Sequence, residues 1–465
     1  MIRFQEVSYT YLSQGSEEVQ SPSLNHISFH IPKGQCVVLC GKSGCGKTTL
    51  LRIINGLACH FYQGRLEGDV LVSGMAPASA SLPELARVVG SVFQNPRTQF
   101  FHTDTTGELA FQLENQNMPR EQMRRRLDRV VTELGLEALM DRSIFALSGG
   151  EKQQIACGSV YASMPQVVVL DEPSSNLDGE GIRQLRDILR RLKAAGKTVL
   201  VAEHRLWYAA DLADRVFYLR EGQLKQIYAG AEFLALPEGK RRSMGLRSLK
   251  EVPLPEPHPS SEAGGLTVRG LRASYGGRAV WQDVSFTAPR GQITAITGHN
   301  GAGKTTLARC LCGLMKEQAG TILWDGGPLG RKERRRKAFL IMQDVNLQLF
   351  GDSVLAEARL GSTATEQEAL AALERMDLAQ YAQTHPLALS GGQKQRLAIV
   401  DGCLSGKELV IFDEPTSGLD YAHMLEVSRL LQELAERGLC VLVITHDGEF
   451  LWESGARAVS WLPAE

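Results

Sequence analysis

Two segments of this 465-residue sequence carry the residue types that a chain of phosphates requires: Gly41-Lys42-Ser43-Gly44-Cys45-Gly46-Lys47-Thr48-Thr49 and Gly298-His299-Asn300-Gly301-Ala302-Gly303-Lys304-Thr305-Thr306. Glycine at this density lets backbone N–H groups turn inward around an anion, and a helix starting at the lysine adds the positive end of its dipole. Lys47 and Lys304 are expected to bridge β- and γ-phosphates, and Thr48 and Thr305 to offer a hydroxyl to Mg²⁺. Two acid pairs complete the pattern. Asp171-Glu172 and Asp413-Glu414 follow the apolar runs Val167–Leu170 and Leu409–Phe412. The first acid of each pair, at the carboxyl end of a strand, is expected on the metal. The second leaves the strand line and is placed to polarise an attacking water.

These residues need a strand ahead of each loop, a helix behind it and a neighbouring strand for the acids. In the first half a strand is predicted over Gln35–Cys40, a helix over Lys47–Leu57 and a polar helix over Met123–Leu134. Strand Gln166–Leu170, helix Gly181–Ala194 and strand Thr198–Ala202 follow. Continuously apolar strands alternating with helices indicate a mostly parallel, buried α/β sheet. The arrangement occurs twice. Leu147–His204 aligns without a gap on Leu389–His446, with about 22 of the 58 positions identical, so two domains of like fold are expected. They are placed at 1–236 and 266–465. Residues 237–265, rich in proline and mixed charge, are read as an extended linker.

Composition narrows the class. Hydrophobic residues make up 43% and charged residues 22%, and 51 Lys+Arg balance 52 Asp+Glu. Binding nucleic acid by bulk charge needs a basic surplus, so no nucleic-acid partner is expected. No run approaches the ~20 apolar residues that cross a bilayer, and the N-terminus lacks the apolar core of a secretory signal. Nine cysteines at irregular spacing, with no Cys-x-x-Cys pair, read as reduced thiols. The basic runs Arg331–Lys337 and Arg124–Arg126 read as solvated faces, the first also as a possible lipid-headgroup contact.

Leu147-Ser148-Gly149-Gly150-Glu151 and Leu389-Ser390-Gly391-Gly392-Gln393 resemble the signature motif of ATP-binding-cassette (ABC) ATPases, each serine 24 residues before its glutamate. Asp178 and Asp420 resemble the D-loop of that family. His204 and His446, each 32 residues past the glutamate, resemble its switch histidine, and Gln94 and Gln343 its conserved-position glutamine. The resemblance covers both halves and implies two tandem ABC-type P-loop nucleotide-binding domains, α/β in class. Each would have a RecA-like parallel-sheet core, a helical subdomain and an antiparallel β subdomain. It implies ATP hydrolysis with Mg²⁺ held by Thr48, Gln94 and Asp171 in one site and by Thr305, Gln343 and Asp413 in the other. Glu172, His204 and Gln94, and Glu414, His446 and Gln343, are the implied catalytic residues. It further implies head-to-tail pairing: Ser148, Gly149 and Gly150 cap the nucleotide on Lys304, and Ser390, Gly391 and Gly392 that on Lys47. Tyr11 and Tyr275 are candidates for stacking on adenine. Two departures stand out, Gln154 opposite Arg396, and Glu203-His204-Arg205 opposite Thr445-His446-Asp447.

The stretch Phe93-Gln94-Asn95-Pro96-Arg97-Thr98-Gln99-Phe100 resembles the ATPases of energy-coupling-factor importers of vitamins and transition metals in prokaryotes. That resemblance implies a transmembrane coupling subunit docking near Gln94 and Gln343, and a separate membrane protein that binds substrate. It places the chain peripherally on the cytoplasmic face of the membrane. Competing readings are the ATPase of a sugar or peptide importer and a soluble ribosome-associated dual cassette.

Overall fold

Alternate residues of the strand Cys36–Cys40 face opposite ways, and all five are buried. Val38 and Cys40, with Val168, Leu170 and Val201 of neighbouring strands, face a core shared with the helices that follow the first glutamine. Val37 and Leu39, with Val167, Val169 and Leu200, face the helix Lys47–Ile54 and an antiparallel sheet. A strand with an apolar residue at every position is thus covered on both sides, which explains the continuous hydrophobic runs. In this computed structural model, which describes residues 1–12, 22–175, 177–256, 264–275 and 278–460, the chain divides into two compact units, Met1–Glu251 and Val252–Glu465.

In the first unit the central sheet runs Val89–Val92, Val167–Asp171, Thr198–Ala202, Cys36–Cys40, Arg215–Arg220 and Gln223–Ala229; all pairings are parallel except the last. A three-stranded antiparallel sheet is built from Leu24–Ile31, Ile2–Tyr11 and Gly64–Val72. The helices Thr105–Asn115, Arg120–Leu134 and Gly149–Ala162 form the helical part. The second unit repeats this plan. Its all-parallel sheet runs Ala338–Ile341, Leu409–Asp413, Cys440–Ile444, Gln292–Thr297 and Arg457–Ser460. An antiparallel sheet contains Arg278–Pro289, Gly265–Tyr275 and Ala319–Trp324. The helices Val354–Arg359, Glu366–Arg375 and Gly391–Leu404 complete it. No helix among the described residues is long and apolar enough to cross a membrane. All nine cysteines are free thiols.

Three expectations are corrected. The stretch 237–265 is not linker throughout. Glu238–Ser243 forms a helix, Arg241 donates to the Leu246 carbonyl at 2.6 Å, and Met244 and Leu246 join the first core; residues 257–263 of that stretch lie outside those described. The basic runs are not merely solvated. Arg334 is 2% exposed, donates to the Cys310 carbonyl at 2.7 Å and pairs with Glu317 at 2.8 Å, while Arg331 and Arg335 donate to the Gly313 carbonyl. Arg126 likewise donates to the carbonyls of Tyr161 and Ala162. These arginines satisfy carbonyls at helix C-terminal ends, where cations are favoured.

A buried acid distinguishes the second helical part. Both carboxylate oxygens of Asp401 are buried without a hydrogen-bond partner, and burial, reinforced by Glu357, raises its carboxyl well above the usual range. The first half has Ser159 at the matching position, whose hydroxyl donates to the Glu108 carbonyl at 3.1 Å. Asp401→Ser is therefore expected to stabilise the chain by about 1–3 kcal/mol at neutral pH, the range for relieving an orphaned buried polar group. A raised carboxyl contributes its full stability below the ordinary aspartate range and loses it as pH climbs. The melting-temperature gain of Asp401→Ser should accordingly be smallest in acid and grow toward neutral pH.

Candidate functional site

The phosphate loop leaves the buried strand Cys36–Cys40 and enters the helix Lys47–Ile54 through backbone that side chains rarely adopt. Gly46 has φ +102°, and a Cβ there would stand 2.7 Å from the Ser23 carbonyl oxygen. A Cβ on Gly41, φ +146°, would stand 2.2 Å from the Leu219 carbonyl oxygen. Lys47, 5% exposed, donates to the carbonyls of Gly41 and Lys42 at 3.0 and 3.1 Å, so its ammonium closes the loop. The Thr48 hydroxyl donates to Asp171 at 3.0 Å. Burial, then the adjacent Glu172, raises the Asp171 carboxyl to about 6 against the opposing hydrogen bond from Thr48.

Glu172 leaves the strand with φ +44°, its N–H held by the Ala202 carbonyl at 2.9 Å. Its carboxylate accepts from the Gln94 amide at 2.8 Å and lies 3.3 Å from His204 Nε2. That imidazole nitrogen also lies 3.2 Å from Lys47 Nζ and 3.5 Å from Ser43 Oγ. Six of the sequence-predicted residues, Ser43, Lys47, Thr48, Asp171, Glu172 and His204, thus form one connected cluster, with Gln94 at its edge.

The second loop repeats the arrangement. Lys304 donates to the Gly298 and His299 carbonyls at 2.7 and 2.8 Å, and the Thr305 hydroxyl donates to Asp413 at 2.7 Å. Burial raises the Asp413 carboxyl to about 6, despite the Thr305 hydrogen bond. Glu414, φ +53°, is held differently from Glu172. Its two oxygens face Thr445 Oγ1 at 3.0 Å and His446 Nδ1 at 2.9 Å. Burial pushes this carboxyl up, but His446, Lys304 and the hydrogen bonds outweigh it, and the net shift is downward. Gln343 is exposed and makes no hydrogen bond among the described residues, so the structure does not bring it to Glu414. In each loop a threonine hydroxyl meets an aspartate, an oxygen-only donor pair that suits Mg²⁺ completed by substrate phosphates.

Ser148 and Ser390 each start a helix, Gly149–Ala162 and Gly391–Leu404, through a capping box with Glu151 and Gln393. Nothing lies within 4 Å of a Cβ placed on Gly391 or Gly392, so the second helix tip is open. Asp178 and Asp420 cap the helices Gly179–Ala194 and Tyr421–Glu436. Gln154 lies beside Gln184, whereas Arg396 is buried and donates to the Met376 carbonyl at 2.7 Å. Tyr11 is half-buried: its hydroxyl lies 3.4 Å from Thr49 Oγ1 and accepts from Arg52 at 3.2 Å, and its ring meets those of Tyr9 and Tyr62 edge-on. Tyr275 ends the strand Gly265–Tyr275, but its side chain lies outside the described residues.

Beside Gln94 the first unit has a groove of about 510 Å³, lined by Leu57, Leu82, Pro83, Phe101, Phe111 and Gln112 among others. Phe101 is 74% exposed and stacks on Phe111 at 4.7 Å; its counterpart Phe350 is 75% exposed. Two buried glutamates hold these tips. Glu108 accepts from the N–H groups of Phe101 and His102 at 2.9 and 3.0 Å, and Glu357 from Phe350 at 2.6 Å and from Gly351. The sequence displays both acids in matching acidic-apolar tracts, Gly107–Phe111 and Val354–Ala358; their role as loop anchors appears only in three dimensions.

The ABC transporter family model matches residues 24–175 and again 281–417. The chain belongs to the ABC transporter family. More particularly, it is a transporter ATP-binding protein, an ATPase with two ABC cassettes in one polypeptide. A Treponema denticola protein provisionally named an ABC transporter ATP-binding protein is 49% identical over 460 residues, covering 97% of this chain and 93% of its own. A Bacillus subtilis protein provisionally named an HMP/thiamine import ATP-binding protein is 34% identical over 486 residues, covering 97% of this chain and 88% of its own. Among solved structures, an archaeal ribosome recycling factor in complex with a ribosomal stalk protein matches with TM-score 0.59 over 95% of this chain and 86% of its own. At 23% identity that likeness shows the fold alone. ATPases of this family bind ATP, typically with Mg²⁺, and generally work with membrane components.

Proposed function

We propose that this chain is the ATPase of an energy-coupling-factor type importer, with two MgATP sites that drive a separate transmembrane coupling subunit. The observation that carries the reading is the apolar groove beside Gln94, with Phe101 presented at its edge by Glu108. A short amphipathic cytoplasmic helix fits such a groove, burying its apolar face while its polar face stays in water. Gln94, which donates to the Glu172 carboxylate at 2.8 Å, directly follows Phe93 of the groove wall, so docking and hydrolysis are one residue apart along the chain. The Bacillus subtilis relative, named for import of HMP or thiamine, supports the direction of transport and a vitamin-type cargo. The cargo is bound by a separate membrane protein, and the chain works on the cytoplasmic face of the membrane.

In each site the loop N–H groups and the lysine bind the phosphates, and the threonine and first acid would hold Mg²⁺, which would supply neutralisation of the charge on the phosphates. Glu172 and Glu414 orient a water toward the γ-phosphorus and take its proton as the bond to the β-phosphate oxygen breaks. His204 and His446 contact the γ-phosphate. Ser390 and Ser148, each on the other cassette, cap the nucleotides on Lys47 and Lys304, and Tyr11 and Tyr275 lie against adenine. The open tip at Gly391 and Gly392 supports that capping role. Expression with a polytopic coupling subunit of this importer type is expected to yield a stable complex. Phe101→Asp combined with Phe350→Asp should abolish that complex and leave ATP hydrolysis by the isolated chain within about twofold, since neither ring reaches a phosphate loop. A complex that survives the double substitution would exclude this docking surface.

A further inference from the structure

Glu203 is a carboxylate, 2% exposed, one residue before the histidine of the first site. Its Oε1 accepts from the Ser174 N–H at 3.1 Å and the Tyr208 hydroxyl at 2.8 Å. Its Oε2 accepts from the N–H groups of His204 and Arg205 at 2.8 and 3.1 Å. One side chain therefore joins three pieces of backbone: the turn that follows Asp171-Glu172-Pro173, the histidine itself, and the turn that leaves it. A buried carboxylate is retained at such a position only when its oxygens are satisfied, and charge-assisted bonds of this kind are stiffer than neutral ones.

The second half joins the corresponding turn to the residues beside its histidine from a different residue and with different bonds. There the acid is Asp447, two positions later in the repeat. It accepts from the Thr416 hydroxyl at 2.8 Å and the Phe450 N–H at 3.3 Å, and Thr416 is the counterpart of Ser174. The surrounding residues change with it. Tyr208, whose buried hydroxyl needs an acceptor, is matched by Phe450, which has none to satisfy. Thr445, at the position of Glu203, is left to donate to Glu414 at 3.0 Å. Three differences between the halves, Glu203/Thr445, Arg205/Asp447 and Tyr208/Phe450, thus form one exchange of an acid and its partners.

We propose that Glu203 is the positioning residue of the first site: it fixes the His204 imidazole against Lys47 and Glu172 by tying the histidine's backbone to the turn after Glu172; in the second site Asp447, directly following His446, anchors that segment to Thr416. The exchange also makes the sites unequal. The Glu414 carboxylate takes a hydroxyl donor from the residue before its histidine. Glu203 turns its oxygens to Ser174, Tyr208, His204 and Arg205, and Glu172 accepts from Gln94. The carboxylate of the first site is thereby tied to Gln94, next in sequence to the groove-lining Phe93, and that of the second to the residue before its own histidine.

This inference rests on the proposed roles of the two glutamates, so its test is made in the full-length Glu414→Gln chain, where the remaining turnover comes from the site on Lys47. Adding Glu203→Ala is expected to lower kcat, normalised to the ATP-binding fraction of the protein, at least tenfold while KM for ATP changes less than about threefold; the normalisation matters because loss of folded protein by itself lowers apparent kcat at constant KM. The combination Glu203→Thr, Arg205→Asp and Tyr208→Phe, which transplants the second half's arrangement, should restore most of the lost kcat. A wild-type kcat in Glu203→Ala, or a folded, ATP-binding triple variant no faster than Glu203→Ala, would overturn the assignment. If Glu172→Gln with Glu414→Gln still hydrolyses ATP normally, the reading of the site fails instead, so the two failures are distinguishable.

Discussion

Replacing Glu172 and Glu414 together by glutamine is expected to cut steady-state ATP hydrolysis by ~100- to 10,000-fold, the range for removing a general base, while ATP binding stays close to wild type. The amide keeps the size and polarity of the carboxylate but cannot take a proton from water. Both side chains are aimed by the same backbone device. Each glutamate leaves a buried strand in the left-handed region, φ +44° and +53°, with its N–H on the carbonyl of a neighbouring strand, Ala202 at 2.9 Å or Ile444 at 2.8 Å. A non-glycine residue in that region carries about 1–3 kcal/mol of strain, offset here by the sheet that holds it. The carboxylates are therefore fixed beside the phosphate loops before nucleotide arrives. Each single substitution should leave one site turning over. Nucleotide-binding assays run beside steady-state kinetics check the result, and a double variant hydrolysing at the wild-type rate would remove both glutamates from the chemistry.

The residues that were legible in sequence are those whose function depends on local spacing. Gly41 to Thr49 works because a strand, a tight turn and a helix follow one another without interruption, and the structure places all three with boundaries shifted by a few residues: the predicted helix Lys47–Leu57 stops at Ile54. The alternation that buries Val37 and Val38 on opposite faces is likewise a property of neighbours. What escaped the sequence depends on residues far apart. Glu203 and Asp447 occupy different positions in the repeat, yet both reach the turn after Glu172 or Glu414, and an alignment of the two halves shows only a mismatch. Arg334 looks solvated within seven consecutive residues of which six are basic; its burial is fixed by Cys310 and Glu317, which lie 24 and 17 residues away. Asp401 sits in a helix whose sequence does not reveal that its polar face is covered. The helix Glu238–Ser243 is hidden by the proline before it and by its charged residues, because the residues that anchor it, Met244 and Leu246, come after the charged run.

Ser148→Arg is expected to stop hydrolysis at the site on Lys304 and to spare the site on Lys47. The substitution removes the side chain that caps the helix Gly149–Ala162, where Ser148 accepts from the Glu151 N–H at 3.3 Å and its own N–H donates to Glu151 at 2.7 Å. Loss of the cap alone costs about 1 kcal/mol, too little to unfold a unit with a continuous core. The larger effect is at the helix tip, where a long guanidinium replaces a small hydroxyl among N–H groups suited to an anion. Lys47 and the glycine loop are expected to surround the phosphates of the first unit by themselves, and in the proposed head-to-tail pairing the tip would serve the opposite cassette. The experiment therefore uses two single-site chains. In Glu172→Gln, where only the Lys304 site turns over, Ser148→Arg should reduce the rate at least ~100-fold, the scale for misplacing a group that positions the reacting phosphate. In Glu414→Gln, where only the Lys47 site turns over, the same substitution should change the rate less than about twofold. The reverse pattern would mean that each signature helix serves the loop of its own cassette, and the division of labour between the halves would have to be redrawn around two self-contained sites.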